Sequence, residues 1–331
     1  MPKVSTIAAT VEKLGGPDAV LLKEQKLPSL QSGECRVRMK AAALNFPDLL
    51  MTYGKYQFRP ELPFILGMEG AGIVEEISGG SHKFTVGDAV MVKGKTGAFA
   101  SHFTAGEGQL ERLPPSLSFE EGAAFAVTYS TAHVSLAEKA KLVPGETLLV
   151  LGAGGGVGQA CVSLGKALGA TVIAAASSTE KLALAKESGA DYLINYRQQD
   201  YAAMVQEITN GRGADVIVDP VGGEVFERSF GCIAWGGRIL IVGFASGTFG
   251  ILNSNLPLEK GCTVMGVRAG EFGRQDPPAG RRSFNNLLKL TETKNLKPLI
   301  GGRWSLDQIK EALSAMERRD VSGKQIISLD D

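Results

Sequence analysis

The run LLVLGAGGGVGQA, residues 148–160, sets a glycine-rich turn between a continuous apolar stretch and a segment with helical spacing. In the register that ends at Gly158, the pattern GxGxxG reads Ala153, Gly155, Gly158, with alanine in first place; the other register fails at Val157. Between a strand and a helix, such a turn suits a dinucleotide. The second glycine lets the backbone approach the pyrophosphate, the third lets helix pack on strand, and the helix N-terminus offers free amides. The candidate phosphate contacts are Gly154, Gly155, Gly156 and Val157. A turn that only packs a helix on a sheet is the competing reading, and the strand and helix flanks favour the cofactor.

In NAD enzymes an acid about twenty residues past the turn binds the ribose 2′-hydroxyl. Here the second strand ends in Ala174, Ala175, Ala176, Ser177, Ser178, with no carboxylate. Ser177 and Ser178, with Lys181 one turn into the next helix and Tyr196 after the third strand, suit a 2′-phosphate, so NADPH is the expected cofactor. Lys181 taken alone is equally a solvated helix residue.

Metal chemistry has no comparable carrier. Cys35, Cys161, Cys232 and Cys262 are scattered, with no CxxC pair or disulfide-like density, which fits a reducing compartment. His82, His102 and His133 lack helical ligand spacing, so no metal is expected.

The elements that must position these residues can be read from periodicity. Residues 147–151, 171–176, 214–219 and 238–243 are apolar runs suited to buried parallel strands, with shorter runs at 192–195 and 263–267. A helix over 158–168, stopped by Gly169, joins the first two into a βαβ unit. The first 120 residues alternate apolar and polar in short pieces between Pro and Gly, as in ECRVRMKAAAL, and read as mostly β. The stretch AGEFGRQDPPAGRR after Arg268 reads as a surface loop, followed by helices near 281–293 and 305–318. The terminal KQIISL reads as a strand returning to the N-terminal β domain.

Length and composition agree. The chain has 331 residues, beyond the usual reach of one core, so two domains are expected. Hydrophobic residues at 44% and charged residues at 21% exclude disorder, and 35 basic residues against 35 acidic ones give nucleic acid and anionic membranes nothing to hold. The start lacks a secretory pattern and no apolar run reaches bilayer length, so a cytoplasmic protein is expected.

Together the stretches ALNFPDLLMTYGKY (43–56), LPFILGMEGAGIV (62–74), AGGGVG (153–158), INYRQQD (194–200) and DPVGG (219–223) resemble the medium-chain dehydrogenase/reductase superfamily, specifically its zinc-free quinone oxidoreductase branch, the zeta-crystallin-like proteins. One departure is Ser163, where that branch carries a glutamine. The resemblance implies an α/β architecture, a Rossmann domain inserted in a GroES-like β-rich catalytic domain: 1–125 catalytic, 126–267 Rossmann, 268–331 returning to the catalytic domain. It also implies a homodimer formed through the Rossmann sheet edge near 262–267.

Zinc-dependent relatives place cysteine and histidine where this chain has Asn45 and Met68, and the structural zinc lobe is missing. Without a metal to polarise a carbonyl, the acceptor must be electrophilic by itself, as quinones and enones are. By resemblance Asn45 and Tyr56 face the catalytic cleft, Thr131 lies near the nicotinamide, Gly243, Phe244 and Ser246 pass beside it, and Lys324 approaches the cofactor. Tyr56 is either a proton donor, as proposed in related enoyl thioester reductases, or a pocket wall. Reduction of a 2-enoyl thioester is thus an alternative, with Arg274, Arg281 and Arg282 as candidate phosphate contacts. A lens-type structural or RNA-binding role is the other, which the neutral net charge disfavours.

Overall fold

A computed structural model describes residues 5–79 and 83–329, so His82 lies outside the described residues. The chain divides into two units: Met1–Val127 with Ile300–Asp331, and Thr128–Leu299.

The first unit opens with β1 (Ser5–Val11), β2 (Val20–Lys26), β3 (Glu34–Leu44), α1 (Phe46–Thr52), β4 (Phe64–Ile65), β5 (Glu69–Ser78), β6 (Ala89–Lys93), β7 (His102–Gly106) and β8 (Leu110–Arg112). Its strands bury one face in the main core, and the end of β3 buries both, Ala42 and Leu44 in that core and Ala41 and Ala43 in a second cluster with Ala71. Val37, Met39, Leu66, Phe99, Leu110 and Ile327 are among the fully buried residues of its core. The helix α2 (Phe119–His133) then carries the chain into the second unit, which begins at Thr128.

That unit contains β9 (Thr147–Leu151), α3 (Gly156–Ala167), β10 (Thr171–Ala176), α4 (Thr179–Glu187), β11 (Tyr192–Asn195), α5 (Tyr201–Ile208), β12 (Ala214–Asp219), α6 (Glu224–Arg228), β13 (Ile233–Ile241), α7 (Asn255–Lys260), β14 (Thr263–Gly266), α8 (Ala269–Gln275) and α9 (Pro277–Lys294). Its six strands pair in parallel in the order β11-β10-β9-β12-β13-β14. The order reverses direction at β9, whose five residues are all buried. In such sheets the crevice at that reversal, outside the strands' carboxyl ends, is where dinucleotides bind.

The chain returns to the first unit through β15 (Ile300–Ser305), α10 (Ile309–Glu317) and β16 (Lys324–Ser328). As expected, β16 pairs antiparallel with β3, Gln325 opposite Leu44.

Two expectations need correction. The stretch after Arg268 is helical rather than a loop: Asp276 accepts a hydrogen bond from the Ala279 amide at 2.9 Å, and Pro277 and Pro278 occupy the first turn of α9, where a missing N–H costs nothing. The return to the first unit begins at Ile300 rather than at 268. Residues Ser283, Leu287 and Thr291, spaced four apart, form the stripe that α9 buries, and Ser283 Oγ lies 2.7 Å from His133 Nδ1 in the same unit.

Candidate active site

In the second unit, the turn after β9 has the shape that its glycines dictate. A Cβ on Gly158 would stand 2.3 Å from Gly152 O and 2.7 Å from Ala153 Cα, so only glycine lets α3 start this close to the strand. Gly155 is the N-cap of α3, with φ −90° and ψ 167° and no side-chain cap, and the space beyond its Cα is open enough that the nearest atom to an added Cβ is 3.6 Å away. The uncapped amides that begin with Gly156 and Val157 are therefore a cradle for an anion.

Residues remote in sequence gather around this turn. The stem of Lys181 lies on Gly154, where an added Cβ would come within 2.4 Å of the lysine Cβ. The Tyr196 amide donates to Ala176 O at 3.1 Å, which brings the end of β11 beside the end of β10 and Ser177. Ser178 caps α4 by accepting from the Lys181 amide at 3.3 Å. Glu180 is an acid that the sequence reading left out. It is exposed, and its own backbone N–H and the Ser178 hydroxyl hold its carboxyl below the ordinary value.

Beyond β13, the segment with Gly243, Phe244 and Ser246 folds onto the DPVGG turn: the Ala245 amide donates to Pro220 O at 3.0 Å and the Ser246 amide to Val221 O at 2.8 Å. Asp219 anchors that turn, its Oδ1 accepting from the Val221 and Gly222 amides at 2.7 and 2.9 Å. Burial raises the Asp219 carboxyl. Thr131 lies on α2, its carbonyl accepting from Ser135 Oγ at 2.7 Å.

The first unit holds a buried polar node that the sequence reading found only in part. Lys324 Nζ donates to Glu69 Oε1 at 2.8 Å, Asn45 Oδ1 at 2.9 Å and Leu44 O at 3.1 Å. Asn45 Nδ2 donates to Glu69 Oε1 at 2.9 Å and Ala43 O at 3.1 Å, and Glu69 Oε2 accepts from the Val127 amide at 2.6 Å. Glu69 is fully buried and Lys324 is 3% exposed, so the pair is desolvated and its hydrogen bonds are what make it tolerable. Asp48, also fully buried, accepts from the Asn45 and Gly67 amides at 2.9 and 3.2 Å. Burial pushes its carboxyl up to about 7 against the pull of these amides and of Lys324. Tyr56 and Met68 are half-buried against the same unit's core.

The second unit thus offers an uncapped glycine-rich helix start, and the first a buried ammonium held by Glu69, Asn45 and the Leu44 carbonyl. Two family models divide the chain accordingly: an alcohol dehydrogenase GroES-like domain over residues 31–141 and a zinc-binding dehydrogenase domain over 156–292. A quinone oxidoreductase-like protein 2 homolog from Nematostella vectensis is 37% identical over 325 residues, spanning 97% of this chain and 88% of that protein.

The chain belongs to the quinone oxidoreductase branch of the medium-chain dehydrogenase/reductase superfamily.

Solved structures of the superfamily agree with the fold. A probable oxidoreductase from Mycobacterium abscessus superimposes with a TM-score of 0.90 at 31% identity, covering 98% of this chain and 99% of that one. A mycobacterial protein solved in complex with NADPH does so at 0.89 and 27%, covering 98% and 100%. Membership makes this chain an oxidoreductase that uses a nicotinamide cofactor, and the cradle around Gly155 fits one.

One of the family models is that of a zinc-binding dehydrogenase, and Asn45 and Met68 are poor ligands for zinc. At the two ligand positions stand an amide and a thioether, and the amide is bonded to a lysine ammonium. Among the described residues no group of three or more His, Cys, Asp or Glu could hold a metal ion. No described helix is long and apolar enough to cross a membrane.

Proposed function

We propose that this chain is an NADPH-dependent, metal-independent reductase of conjugated carbonyl compounds, quinones first. The Lys324 ammonium carries this reading. It is bonded to both Asn45 and Glu69, so the first unit has a fixed internal cation, and among the described residues no cluster of three or more His, Cys, Asp or Glu offers a donor set for a Lewis acid. An acceptor reduced there has to be electrophilic on its own.

A bound nicotinamide would supply hydride chemistry, so that hydride plus one proton from solvent would take a quinone to its hydroquinone. The chain's residues bind and orient. Gly154, Gly155, Gly156 and Val157 hold the pyrophosphate, while Ser177, Ser178, Lys181 and Tyr196 receive the 2′-phosphate. Thr131, Gly243, Phe244 and Ser246 would flank the nicotinamide. Asn45 and Lys324 bond to one another and to Glu69, and this fixes the framework that carries Tyr56 and Met68. Glu180 opposes a 2′-phosphate, so removing its charge should strengthen the NADPH preference.

NADPH oxidation measured over a panel of quinones, enones and 2-enoyl thioesters tests the reading. Quinone turnover with NADPH well above NADH, a preference reversed by Lys181→Glu, and activity untouched by chelators are expected. Equal efficiency with NADH, stoichiometric zinc, or turnover of thioesters alone would overturn the corresponding part. A homodimer joined through β14, the edge strand of the parallel sheet, belongs to the same proposal and is tested by light scattering.

A further inference from the structure

The loop between α1 and β4 carries Lys55, Tyr56, Phe58 and Arg59, and the loop after β6 carries Lys95. Tyr56 and Phe58 are half-buried against the core of the first unit, and Lys95 Nζ sits 4.6 Å from the centroid of the Phe58 ring. A cation held over an aromatic face loses part of its freedom, so the charge has a defined place at the edge of the apolar wall.

Backbone bonds tie that place to the buried node. Gly94 donates to Met68 O at 2.8 Å, Gly97 to Ile65 O at 2.9 Å and Ala98 to Gly67 O at 3.0 Å. Met68 precedes Glu69, whose carboxylate holds Asn45. Lys95, Phe58, Met68 and Asn45 therefore stand on one hydrogen-bonded framework. Lys55, Arg59 and Lys95 are all exposed, and among the described residues none of them pairs with a carboxylate.

We infer that the acceptor carries an anionic group beside its conjugated carbonyl, with Lys95 as the residue that selects it and Arg59 and Lys55 adding to the field. The inference rests on the reading of this chain as a reductase of such carbonyls. The unsaturated head meets the apolar wall that includes Tyr56, and the anion meets the ammonium that stands over the Phe58 ring. Two sources supply that chemistry: a small acidic quinone, or the phosphates of a coenzyme A thioester.

The test uses the full chain with NADPH and two acceptor pairs: 9,10-phenanthrenequinone with its 2-sulfonate, and the neutral N-acetylcysteamine thioester of crotonate with crotonyl-CoA. For each pair the ratio of kcat/KM, anionic over neutral, is measured in wild type, Lys95→Met and Lys95→Arg; comparing ratios between variants cancels the acceptors' intrinsic reactivity. The ratio in one pair is expected to fall about tenfold in Lys95→Met, to be largely restored in Lys95→Arg, and to shrink as salt rises from about 0.05 to about 0.5 M. The pair that responds identifies the source of the anion. A ratio identical in wild type and Lys95→Met for both pairs overturns the inference. If no acceptor is reduced, the reductase reading fails instead, and calorimetric binding of the sulfonate decides this inference: about tenfold weaker binding to Lys95→Met sustains it, equal binding overturns it.

Discussion

Replacing Gly158 by alanine forces a Cβ to within 2.3 Å of Gly152 O and 2.7 Å of Ala153 Cα, both backbone atoms at the end of a fully buried strand. Ordinary contact for a Cβ begins at 3.4 Å, so the start of α3 has to retreat by about 1 Å. Overpacking of this kind costs about 1–3 kcal/mol. In a unit the size of Thr128–Leu299, a cost of about 2 kcal/mol lowers Tm by roughly 4–8 °C. Gly155→Ala is the matched control. Its φ of −90° suits any residue and its Cβ would meet nothing closer than 3.6 Å, so the fold should not notice. That Cβ does occupy the mouth of the amide cradle, and NADPH affinity should fall by about tenfold or more, about 1.4 kcal/mol. Thermal unfolding without cofactor and fluorescence titration with NADPH separate the effects. A Gly155→Ala protein that loses Tm but binds normally, or a Gly158→Ala protein with unchanged Tm, would refute the assignment of packing to one glycine and phosphate approach to the other.

Lys324→Met leaves the buried Glu69 carboxylate without its cation and should cost about 3–5 kcal/mol in urea unfolding, much of it recovered in the double variant with Glu69→Gln; a loss that the second substitution does not reduce would show that packing, not charge, is at stake. Asp48 has its folded carboxyl raised to about 7 from 3.8, so the folded state binds the extra proton between those values, and this group's effect is to lower stability as pH climbs from about 4 through about 7. Asp48→Asn should flatten that part of the stability profile, and an unchanged slope would contradict the assignment. Tyr56→Phe keeps the half-buried ring and removes the hydroxyl; quinone turnover should change little, because water can protonate a hydroquinone anion, and a loss of about a hundredfold with NADPH binding intact would make the phenol a proton donor.

How much was legible in the sequence depends on how local each signal is. The glycine turn, the parallel strands and the alanines and serines ending β10 could be read because each lies within a dozen residues of what it needs. The helix expected near 281–293 is α9, but its first turn was read as loop because Pro277 and Pro278, breakers inside a helix, start one when an aspartate precedes them. Glu69 escaped notice because its partners come from far along the chain, Lys324 being 255 residues away. Lys324 itself was legible only by resemblance, and nothing local to KQIISL reveals that its ammonium faces inward to three acceptors. Glu180 was missed because the search for an acid stopped at the strand end, whereas its carboxyl reaches the Ser178 hydroxyl from the helix that follows.

That long reach has a consequence for how the chain is made. On a ribosome adding about 5–20 residues per second, Lys324 emerges roughly 13–50 s after Glu69. The second unit is a single continuous stretch, complete once Leu299 has left the exit tunnel, whereas the first still lacks β15, α10 and β16. Until then the central strand β3 has an open edge where β16 will pair, and the Glu69 carboxylate has no lysine. The nascent protein thus carries a finished second unit and an unfinished first one, and it is this open strand edge that a chaperone would have to shield until β16 emerges to close it.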